Sequence, residues 1–402
     1  MVFAFTTFMI FVGAVYFLRI LYYHAGLRRL PSGTNSHLHS FSIIIPARNE
    51  EDNIARCLKA VLEQDYPPDL YTVHVVDDHS TDRTAEIVNE FARRYPGRVF
   101  LHPLEDRPVE RDTAGQRAYK KAAISYGIEC SRGEIIATID ADCWSWPTWL
   151  STLNRHYRPE VGMVSGLILF SRREEKTLFH KIQSLEFLGL VALGAGSLGM
   201  GEPIVSNGAN LSYRRRAFLD VGGFRNIDHL PSGDDDLLMQ KIHRLTDWKI
   251  EFAPEPESFN FTAPEPSLRA FLNQRTRWAS KSTHYRNPWL VLFLALVYLF
   301  YLYLFVGVPV ALFSGLAYPW PLFLLAGKWG VEFLFMRRAA KIARRTDLLR
   351  YFPLAEFFQV PYILWVGFWG VFGRYSWKGR ENQNRPGWKT IRTVREKEES
   401  LP

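Results

Sequence analysis

Several patterns are scarce in this 402-residue sequence, and each absence excludes a class of protein. Its three cysteines, Cys57, Cys130 and Cys143, stand in no CxxC or CxxH spacing, so neither a disulfide framework nor a structural zinc site is indicated. Charged residues at 22% and hydrophobic residues at 47% exclude a disordered chain, a collagen and an all-membrane bundle. The few cysteines predict a reducing compartment that faces the cytosol.

Two stretches contain no charged residue at all. Residues 2–18 are uncharged, and three arginines follow within the next eleven residues. Residues 288–327 form an uncharged run of forty residues, which is too long for one membrane helix and about right for two. The first stretch predicts an uncleaved transmembrane anchor at 1–24, and its basic flank predicts that the following residues lie in the cytoplasm.

The excess of basic residues is concentrated beside the apolar runs. The net charge of the chain is +8. Segment 337–350 contains six basic residues and one acidic residue, and segment 374–402 contains eight basic and four acidic residues. This placement is typical of cytoplasmic membrane flanks and argues against a nucleic-acid surface. A third apolar run, 357–373, contains Pro361 and follows Pro353, so we expect a re-entrant or interfacial segment there.

The predicted organisation is that of a multi-pass protein of the cell membrane. After the anchor we expect a cytoplasmic catalytic domain at 25–285, membrane segments at 286–373 and a basic cytoplasmic tail at 374–402. The segment at about 176–200 is apolar but contains Glu186, and it predicts an interfacial helix followed by a glycine-rich loop. An ordinary core helix is the alternative for that segment.

In the middle of the chain, short β-rich segments alternate with helical ones, which predicts an α/β domain with a mainly parallel sheet. In such sheets ligands bind at the carboxyl ends of the strands, where we expect the polar residues to converge on one crevice. The polar residues at three strand ends are Arg48, Asn49 and Glu50, then Asp77 and Asp78, then Asp140 and Asp142.

Three further motifs carry candidate chemistry. In IDADC, Asp140 and Asp142 alternate at the end of an apolar strand and would repel each other without a cation, for which Mg2+ or Mn2+ is the expected choice. SGDDDLL at 232–238 has more acids than the one that a helix N-cap needs, so one is a candidate general base. QRTRW at 274–278 offers two cations and an indole, or a basic membrane flank with an interfacial Trp.

The order of the motifs resembles that of glycosyltransferase family 2, the inverting transferases that use nucleotide-diphosphate sugars. The resemblance covers about residues 40–285 and implies a GT-A Rossmann-like mixed sheet with helices on both faces, together with transmembrane and interfacial helices. The motifs are IIIPARNEE at 43–51, VVDDHSTDRT at 75–84, YKKAAI at 119–124, IDADC at 139–143, SNGAN at 206–210, GDDDLL at 233–238 and QRTRW at 274–278.

The resemblance also implies roles for individual residues. Those implied to bind the nucleotide sugar are Pro46, Arg48, Glu50, Asp77, Asp78, Lys120 and Asp140. Asp142, with Asp140, would hold the metal, and Asp235 would be the general base, with Asp236 beside it as a rival. Those implied at the acceptor and pyrophosphate are Asn207, Gly208, Asn210, Asp234, Gln274, Arg277 and Trp278. The family's glycine before the lysine is Tyr119 here, which leaves Lys121 as an alternative to Lys120.

The implied activity is transfer of a sugar, with glucose as the expected one, from a UDP-sugar to a hydroxyl of a membrane lipid. Acceptors of this kind include a hydroxylated terpenoid or carotenoid, a ceramide-like lipid and a glycolipid. The partners are then the donor, the lipid and the bilayer, with no nucleic acid. Two alternatives stay open: a processive polysaccharide synthase, for which three or four spans are few, and an inactive membrane scaffold.

Overall fold

The computed structural model describes residues 2–104, 118–230, 232–285, 287–378 and 380–383. The strands are β1 (Phe41–Ala47), β2 (Tyr71–Asp77), β3 (Val99–Pro103), β4 (Ile135–Thr138), β5 (Trp144–Ser145), β6 (Val161–Gly166), β7 (Ile168–Phe170), β8 (Leu211–Arg214), β9 (Lys249–Ala253), β10 (Asn260–Thr262), β11 (Arg374–Trp377) and β12 (Arg380–Gln383). The helices are α1 (Val2–Gly26), α2 (Ile54–Leu62), α3 (Thr84–Arg94), α4 (Tyr119–Glu129), α5 (Trp149–His156), α6 (Leu178–Leu198), α7 (Arg215–Asp220), α8 (Asp236–Leu245), α9 (Leu268–Ala279), α10 (Pro288–Phe313), α11 (Trp320–Ile342) and α12 (Phe352–Phe372).

The chain divides into two compact units. The first, called the α/β unit below, comprises Tyr23–Pro264 and Arg337–Leu349. The second, called the helical unit, comprises Met1–Tyr22, Glu265–Met336 and Arg350–Pro402. Of the predicted basic tail, residues 384–402 lie outside the described part of the chain.

The α/β unit is built on a seven-stranded sheet of order β3-β2-β1-β4-β8-β6-β9. β8 runs antiparallel to its neighbours β4 and β6, and the other four neighbouring pairs are parallel. The sequence FSIIIPA of β1 is buried almost throughout, as expected for a strand covered on both faces. The predicted α/β class with a mainly parallel, mixed sheet is therefore confirmed.

The helices of this unit bury one face each. In α2 the buried residues Ile54, Cys57, Leu58 and Val61 follow the i, i+3, i+4, i+7 spacing of an amphipathic helix. α4 packs against β1 and β2, and α3 packs against β2 and β3. These contacts place the first turns of α3 and α4 near the carboxyl ends of the same strands, because helices return the chain antiparallel to the strand before them.

The glycine-rich loop predicted within 176–200 is wrong, because α6 continues through the glycines to Leu198. The glycines permit a close helix approach instead. A Cβ atom on Gly196 would lie 2.6 Å from the carbonyl oxygen of Tyr23, and one on Gly199 would lie 2.1 Å from that of Gly26. More than half of α6 is buried, as in a core helix, and its predicted interfacial position stays a prediction.

The helical unit contains the apolar runs. Among the described residues, three helices are long and apolar enough to cross a membrane: Phe3–Gly26, Pro288–Phe313 and Thr346–Phe372. The run 288–327 breaks into two helices as predicted, but the second, α11, starts only at Trp320 and continues through charged residues to Ile342.

The prolines of the last apolar run do not interrupt it. α12 is one continuous helix with Pro353 in its first turn, where a missing N–H costs no hydrogen bond, and with Pro361 inside it. The expected break at these prolines is therefore wrong. The re-entrant or interfacial course of this segment stays a prediction.

Candidate active site

The two aspartates of the IDADC motif lie in a turn rather than in a strand. β4 ends at Thr138, and a hydrogen bond of 2.9 Å from the Cys143 N–H to the Asp140 carbonyl closes the turn that contains both carboxylates. The β-pleat argument for their common direction is therefore wrong, although both side chains are partly exposed at the end of β4. The thiol of Cys143 donates a hydrogen bond of 3.3 Å to Oδ1 of Asp142.

Lys120 connects the two acidic motifs. Its Nζ lies 2.7 Å from Oδ1 of Asp140 and 3.1 Å from Oδ2 of Asp234, and its side chain is 16% exposed. Burial lowers the pKa of the Lys120 ammonium, but the two carboxylates raise it more, so the net pKa lies well above its ordinary value. The lysine that meets the acids is thus Lys120, while Lys121 is buried and binds elsewhere.

The three successive aspartates of the GDDDLL motif have different surroundings. Asp235, and not Asp234, is the N-cap of α8, and its Oδ1 accepts a hydrogen bond of 2.8 Å from the Asp236 N–H. Its Oδ2 accepts a longer bond of 3.4 Å from the Gly208 N–H. Asp235 is partly exposed, whereas Asp236 is buried, so the carboxylate that solvent and substrate can reach is that of Asp235.

A glycine is needed where the chain passes under Lys120. A Cβ atom on Gly208 would lie 2.8 Å from Oδ2 of Asp234 and 3.4 Å from Nζ of Lys120. Asn207 orders the same turn, because its side chain accepts a hydrogen bond of 3.0 Å from the Ala209 N–H. Gly208 therefore lets the acidic residue and the lysine approach the backbone.

Asn210 lies in the core rather than in the crevice. It has no exposed surface, its Nδ2 donates to the carbonyls of Leu167 and Ser258 at 2.8 Å each, and its Oδ1 accepts from Trp149 Nε1 at 2.9 Å. A contact of Asn210 with an acceptor or pyrophosphate is not compatible with this position. In the SNGAN motif, Asn207 and Gly208 thus form the turn, and Asn210 connects three core segments by hydrogen bonds.

The ends of β1 and β2 are tied together and strained. Asn49 and His79 have φ values of 51° and 57°, a left-handed conformation that is uncommon outside glycine and that clusters at functional sites. Nη1 of Arg48 donates hydrogen bonds to the carbonyls of Asp78 and His79 at 2.7 and 3.1 Å. The carboxylate of Asp78 is buried and lies 2.9 Å from Nδ1 of His79.

The remaining residues predicted to bind the nucleotide line the same edge. Glu50 is buried and its Oε2 accepts a hydrogen bond of 2.8 Å from Asn53. Asp77 accepts a hydrogen bond from the Ser80 hydroxyl, and burial raises the pKa of Asp77 more than this bond lowers it. Pro46 lies opposite Val76 in the parallel pair of β1 and β2. The predicted residues of the first two motifs therefore belong to one connected edge of the sheet.

The QRTRW motif belongs to α9 in the helical unit. Nε2 of Gln274 donates a hydrogen bond of 2.6 Å to Glu265. The buried Arg275 stacks on Trp278, with its guanidinium carbon 4.1 Å from the ring centroid, and the sequence motif had indicated no role for it. The i, i+3 spacing of Arg275 and Trp278 on a helix is the signal that identifies the pair.

The donor set at the turn fits a hard divalent cation. Among the described residues, no group of three or more His, Cys, Asp or Glu side chains could hold a metal ion by itself. Asp140 and Asp142 supply carboxylate oxygens, the ligands that Mg2+ and Mn2+ prefer, and such ions commonly complete their shell with phosphate oxygens and water. The two carboxylates fit a cation that arrives together with a phosphorylated ligand.

Comparison with known proteins gives a consistent family. The model of glycosyl transferase family 2 matches residues 42–222, and the model of glycosyl transferase family group 2 matches residues 135–337. The chain is similar to glycosyltransferase AglE of Haloferax volcanii, with 35% identity over 208 residues that cover 50% of this chain and 60% of that protein. It is also similar to beta-monoglucosyldiacylglycerol synthase of a Nostoc species, with 31% identity over 248 residues, 59% of this chain and 48% of that protein.

The chain thus spans about half to three fifths of the length of these relatives. Among solved structures, it is similar in fold to a mannosyltransferase from Pyrobaculum calidifontis in complex with GDP-Man and Mn2+, with 20% identity, a TM-score of 0.52 and coverage of 84% of this chain and 98% of that one. The fold is accordingly GT-A. Because the group model covers half of the chain and includes both acidic motifs that Lys120 connects, the chain belongs to glycosyl transferase family 2.

Proposed function

We propose that this protein is a membrane-bound inverting hexosyltransferase that moves a sugar, with glucose as the expected one, from a UDP-sugar to a hydroxyl of a membrane lipid. The observation that carries the proposal is the contact of Lys120 with Asp140 and Asp234. A cation held between the buried Asp234 and the partly exposed Asp140 can exchange the Asp140 carboxylate for a diphosphate oxygen without a large rearrangement. Donor and acceptor would then meet between these two motifs.

The donor end of the site has charges of the required sign. Lys120 would donate hydrogen bonds to the diphosphate, and the tied ends of β1 and β2, with Arg48, Glu50 and Asp78, would enclose the base and ribose. Asp140 and Asp142 would hold Mg2+ or Mn2+, and the bound cation would offset the charge that develops on the departing UDP.

Asp235 would act as the general base. It would take the proton of the acceptor hydroxyl while that oxygen attacks C1 of the sugar on the face opposite UDP, which inverts the anomeric centre. The N–H groups of Asp236 and Gly208 orient its carboxylate, at 2.8 and 3.4 Å from its two oxygens. Its partial exposure supports this role over that of the buried Asp236.

For the QRTRW motif we keep the roles that its resemblance to the family's motif implies. Arg277 and Gln274 would steady the pyrophosphate, and Trp278 would stack on a sugar or acceptor ring. The contact of Arg275 with the Trp278 ring supports this role, because it restricts the orientation of the indole.

A lipid acceptor is supported by the apolar helices and by the relatives. In the part of the chain that the structure describes, three helices are long and apolar enough to cross a membrane. The Nostoc and Trichormus variabilis relatives are named beta-monoglucosyldiacylglycerol synthase. The arginines after the first helix favour a cell-membrane protein whose catalytic domain faces the cytoplasm. We propose the same class of acceptor here, a hydroxylated lipid.

For α12 we keep the re-entrant or interfacial course, with a cytoplasmic tail. α12 contacts α10 through the Tyr298 hydroxyl, which donates to the Leu364 carbonyl at 3.3 Å, and through Tyr301 and Gln359 at 3.4 Å. The basic residues at 337–350 and 374–402 support this course, because both segments then lie on the cytoplasmic side.

The test is incubation of membranes that contain the protein with labelled UDP-glucose and Mg2+, followed by organic extraction and mass analysis. We expect labelled lipid from the wild type, a loss of about 10²- to 10⁴-fold in Asp235→Asn, and retention of most activity in the matched variant Asp236→Asn. Equal losses in both variants would contradict the assignment of the base. Label only in a long polymer would support a processive synthase instead.

A further inference from the structure

Lys121 is buried beside the active site, and its described hydrogen bonds go to backbone carbonyls. It is 1% exposed, and its Nζ lies 2.6 Å from the carbonyl oxygen of Ile227, 2.8 Å from that of Leu230 and 2.7 Å from that of Ser232. An ammonium group has three N–H donors, so these three carbonyls match its full capacity. A buried cation is tolerated where hydrogen bonds compensate its lost hydration, as here.

The three carbonyls belong to one connection, which we call the strap and of which the structure describes residues 222–230 and 232–233. The strap joins α7 to the acidic motif, and it has an irregular backbone. Positive φ values of 68°, 56°, 70° and 89° occur at Gly222, Gly223, Asn226 and Gly233. Turn hydrogen bonds within the strap use some of its carbonyl groups, such as those of Gly222 and Phe224, and the lysine ammonium groups add donors from outside it.

A second lysine holds the other end of the strap. Lys241 of α8 is also buried, and its Nζ lies 2.7 Å from the carbonyl oxygens of Gly223 and Arg225. The two lysines therefore divide the strap between them. Lys241 holds the end that follows α7, and Lys121 holds the end that leads into Asp234 and Asp235.

The position of Lys121 in the sequence connects this contact to the reaction. Its neighbour Lys120 pairs with Asp140 and Asp234, while Lys121 reaches Ser232, only two residues before Asp234. The first turn of α4 therefore fixes both the acidic residue that faces Lys120 and the backbone that carries it. No comparable contact joins Lys241 to residues next to Asp234 among its described bonds.

We propose that Lys121 is a positioning residue, which holds the end of the strap so that Asp235 stays aligned with the donor bound at Asp140 and Lys120. This proposal rests on the proposed role of Asp235 as general base. Loss of the ammonium leaves three strap carbonyls without this donor, and a base displaced by about 1 Å reduces the rate by up to about 100-fold. The donor contacts of Lys120 and Asp140 remain, so the loss falls on kcat rather than on KM.

The experiment measures kcat and KM for UDP-glucose in the full-length protein in lipid nanodiscs, for the wild type, Lys121→Met, Lys241→Met and Asp235→Asn. UDP binding in the presence of Mg2+ reports the folded fraction of each. We expect kcat of Lys121→Met to fall by at least about tenfold with KM within about twofold of the wild type. Lys241→Met, which removes the same kind of contact from the other end of the strap, should keep kcat within about threefold.

Equal kcat values in Lys121→Met and Lys241→Met, or a higher KM with unchanged kcat in Lys121→Met, would overturn the proposal. An inactive Asp235→Asn beside a fully active Lys121→Met refutes only the positioning role, whereas an active Asp235→Asn refutes the base itself. If Lys121→Met does not bind UDP, Lys121→Gln is compared with Lys241→Gln; the carboxamide keeps two N–H donors on a shorter chain and should hold the strap only in part. A kcat of Lys121→Gln no lower than that of Lys241→Gln would then overturn the proposal.

Discussion

Two lysines of this protein each lie between two carboxylates, one in the α/β unit and one in the helical unit, and their surroundings differ. Lys120 is 16% exposed, and its partners Asp140 and Asp234 are 35% and 9% exposed. Lys328 has no exposed surface, and its partners Glu332 and Glu356 are 8% and 5% exposed at 3.0 and 2.6 Å. The first cluster is open to a substrate on the side of Asp140, and the second is closed.

The closed cluster is made by four helices. Besides Glu356, α12 contributes Gln359, which contacts Lys328. The hydroxyl of Tyr16 on α1 donates a hydrogen bond of 2.6 Å to Glu332, and the ring of Tyr301 on α10 lies 5.2 Å from Nζ of Lys328. Every charge in the cluster thus has partners from another helix, which is how charged groups are accommodated among apolar helices.

The comparison teaches that the same arrangement of charges serves different purposes according to access. Where solvent and ligand enter, as at Lys120, a diphosphate can replace a carboxylate partner. Where they do not, as at Lys328, the partners are permanent, and the pairing specifies which helices meet and in which register. Three predictions test this distinction.

The largest effect is expected from Lys328→Met. The substitution leaves Glu332 and Glu356 close together without their shared cation, and removal of one partner of a buried ion pair destabilises a protein by about 3–5 kcal/mol. Thermal unfolding of the purified protein in detergent measures the loss. The triple variant Lys328→Met, Glu332→Gln, Glu356→Gln removes all charge and should recover most of it; no recovery would contradict the account of paired charge.

A smaller effect, of a different kind, is expected from Lys120→Met. Transfer should slow by about 100-fold, equivalent to about 2.7 kcal/mol in the barrier, because the diphosphate loses a cation. The free energy of unfolding should fall by less than in Lys328→Met, since water can hydrate the partly exposed Asp140 and only Asp234 is left buried. The transfer rate and the free energy of unfolding are measured on the same preparation. A loss of stability as large as that of Lys328→Met would contradict the distinction between the open and the closed cluster.

The smallest effect extends the comparison to two buried histidines of the α/β unit. His74 stacks on Phe100 and His102, and burial lowers its pKa to about 4. His156 lies 3.2 Å from Glu251 and 2.9 Å from Glu255; burial lowers its pKa, but these two carboxylates raise it more, to a net value above the ordinary one. Neutral partners thus favour a neutral histidine, and acidic partners favour a charged one.

The two histidines should act on stability in opposite pH ranges. The contribution of His74 is complete above its unfolded pKa near 6.5 and is lost as the pH falls towards 4, by about 2 kcal/mol at pH 5. The contribution of His156 is complete below pH 6.5 and is lost as the pH rises through its raised pKa. Unfolding measured against pH should lose its acid dependence in His74→Phe and its alkaline dependence in His156→Gln; the same shift in both variants would refute this.

Much of the fold was predictable because its signals are local. The apolar strands, the polar residues at their ends and the amphipathic helices follow from periods of two and 3.6 residues. Lys120 and Lys121 show the limit of such signals. They are adjacent and chemically identical, but they point about 100° apart on a helix, and only the packing of α4 decides which one meets the acids.

Other features were not predictable, because they depend on contacts between distant residues. SNGAN could be recognised as a motif, yet Asn210 reaches the core through Trp149, Leu167 and Ser258, which no sequence pattern connects to it. Lys328 and Glu332 directly follow the uncharged run 288–327, and no sequence pattern indicates their further partner. Their partner at 356 lies more than twenty residues away, on another helix.

The amino-acid sequence by itself determined the class of the sheet, the family and the acidic motifs, because strand burial and motif order are properties of neighbouring residues. Only the tertiary structure decided which of two lysines faces the acids, which of three aspartates is reachable, and which lysine is enclosed by four helices. The physical reason is that access and pairing of a charge depend on which distant side chains surround it, and folding alone brings those together.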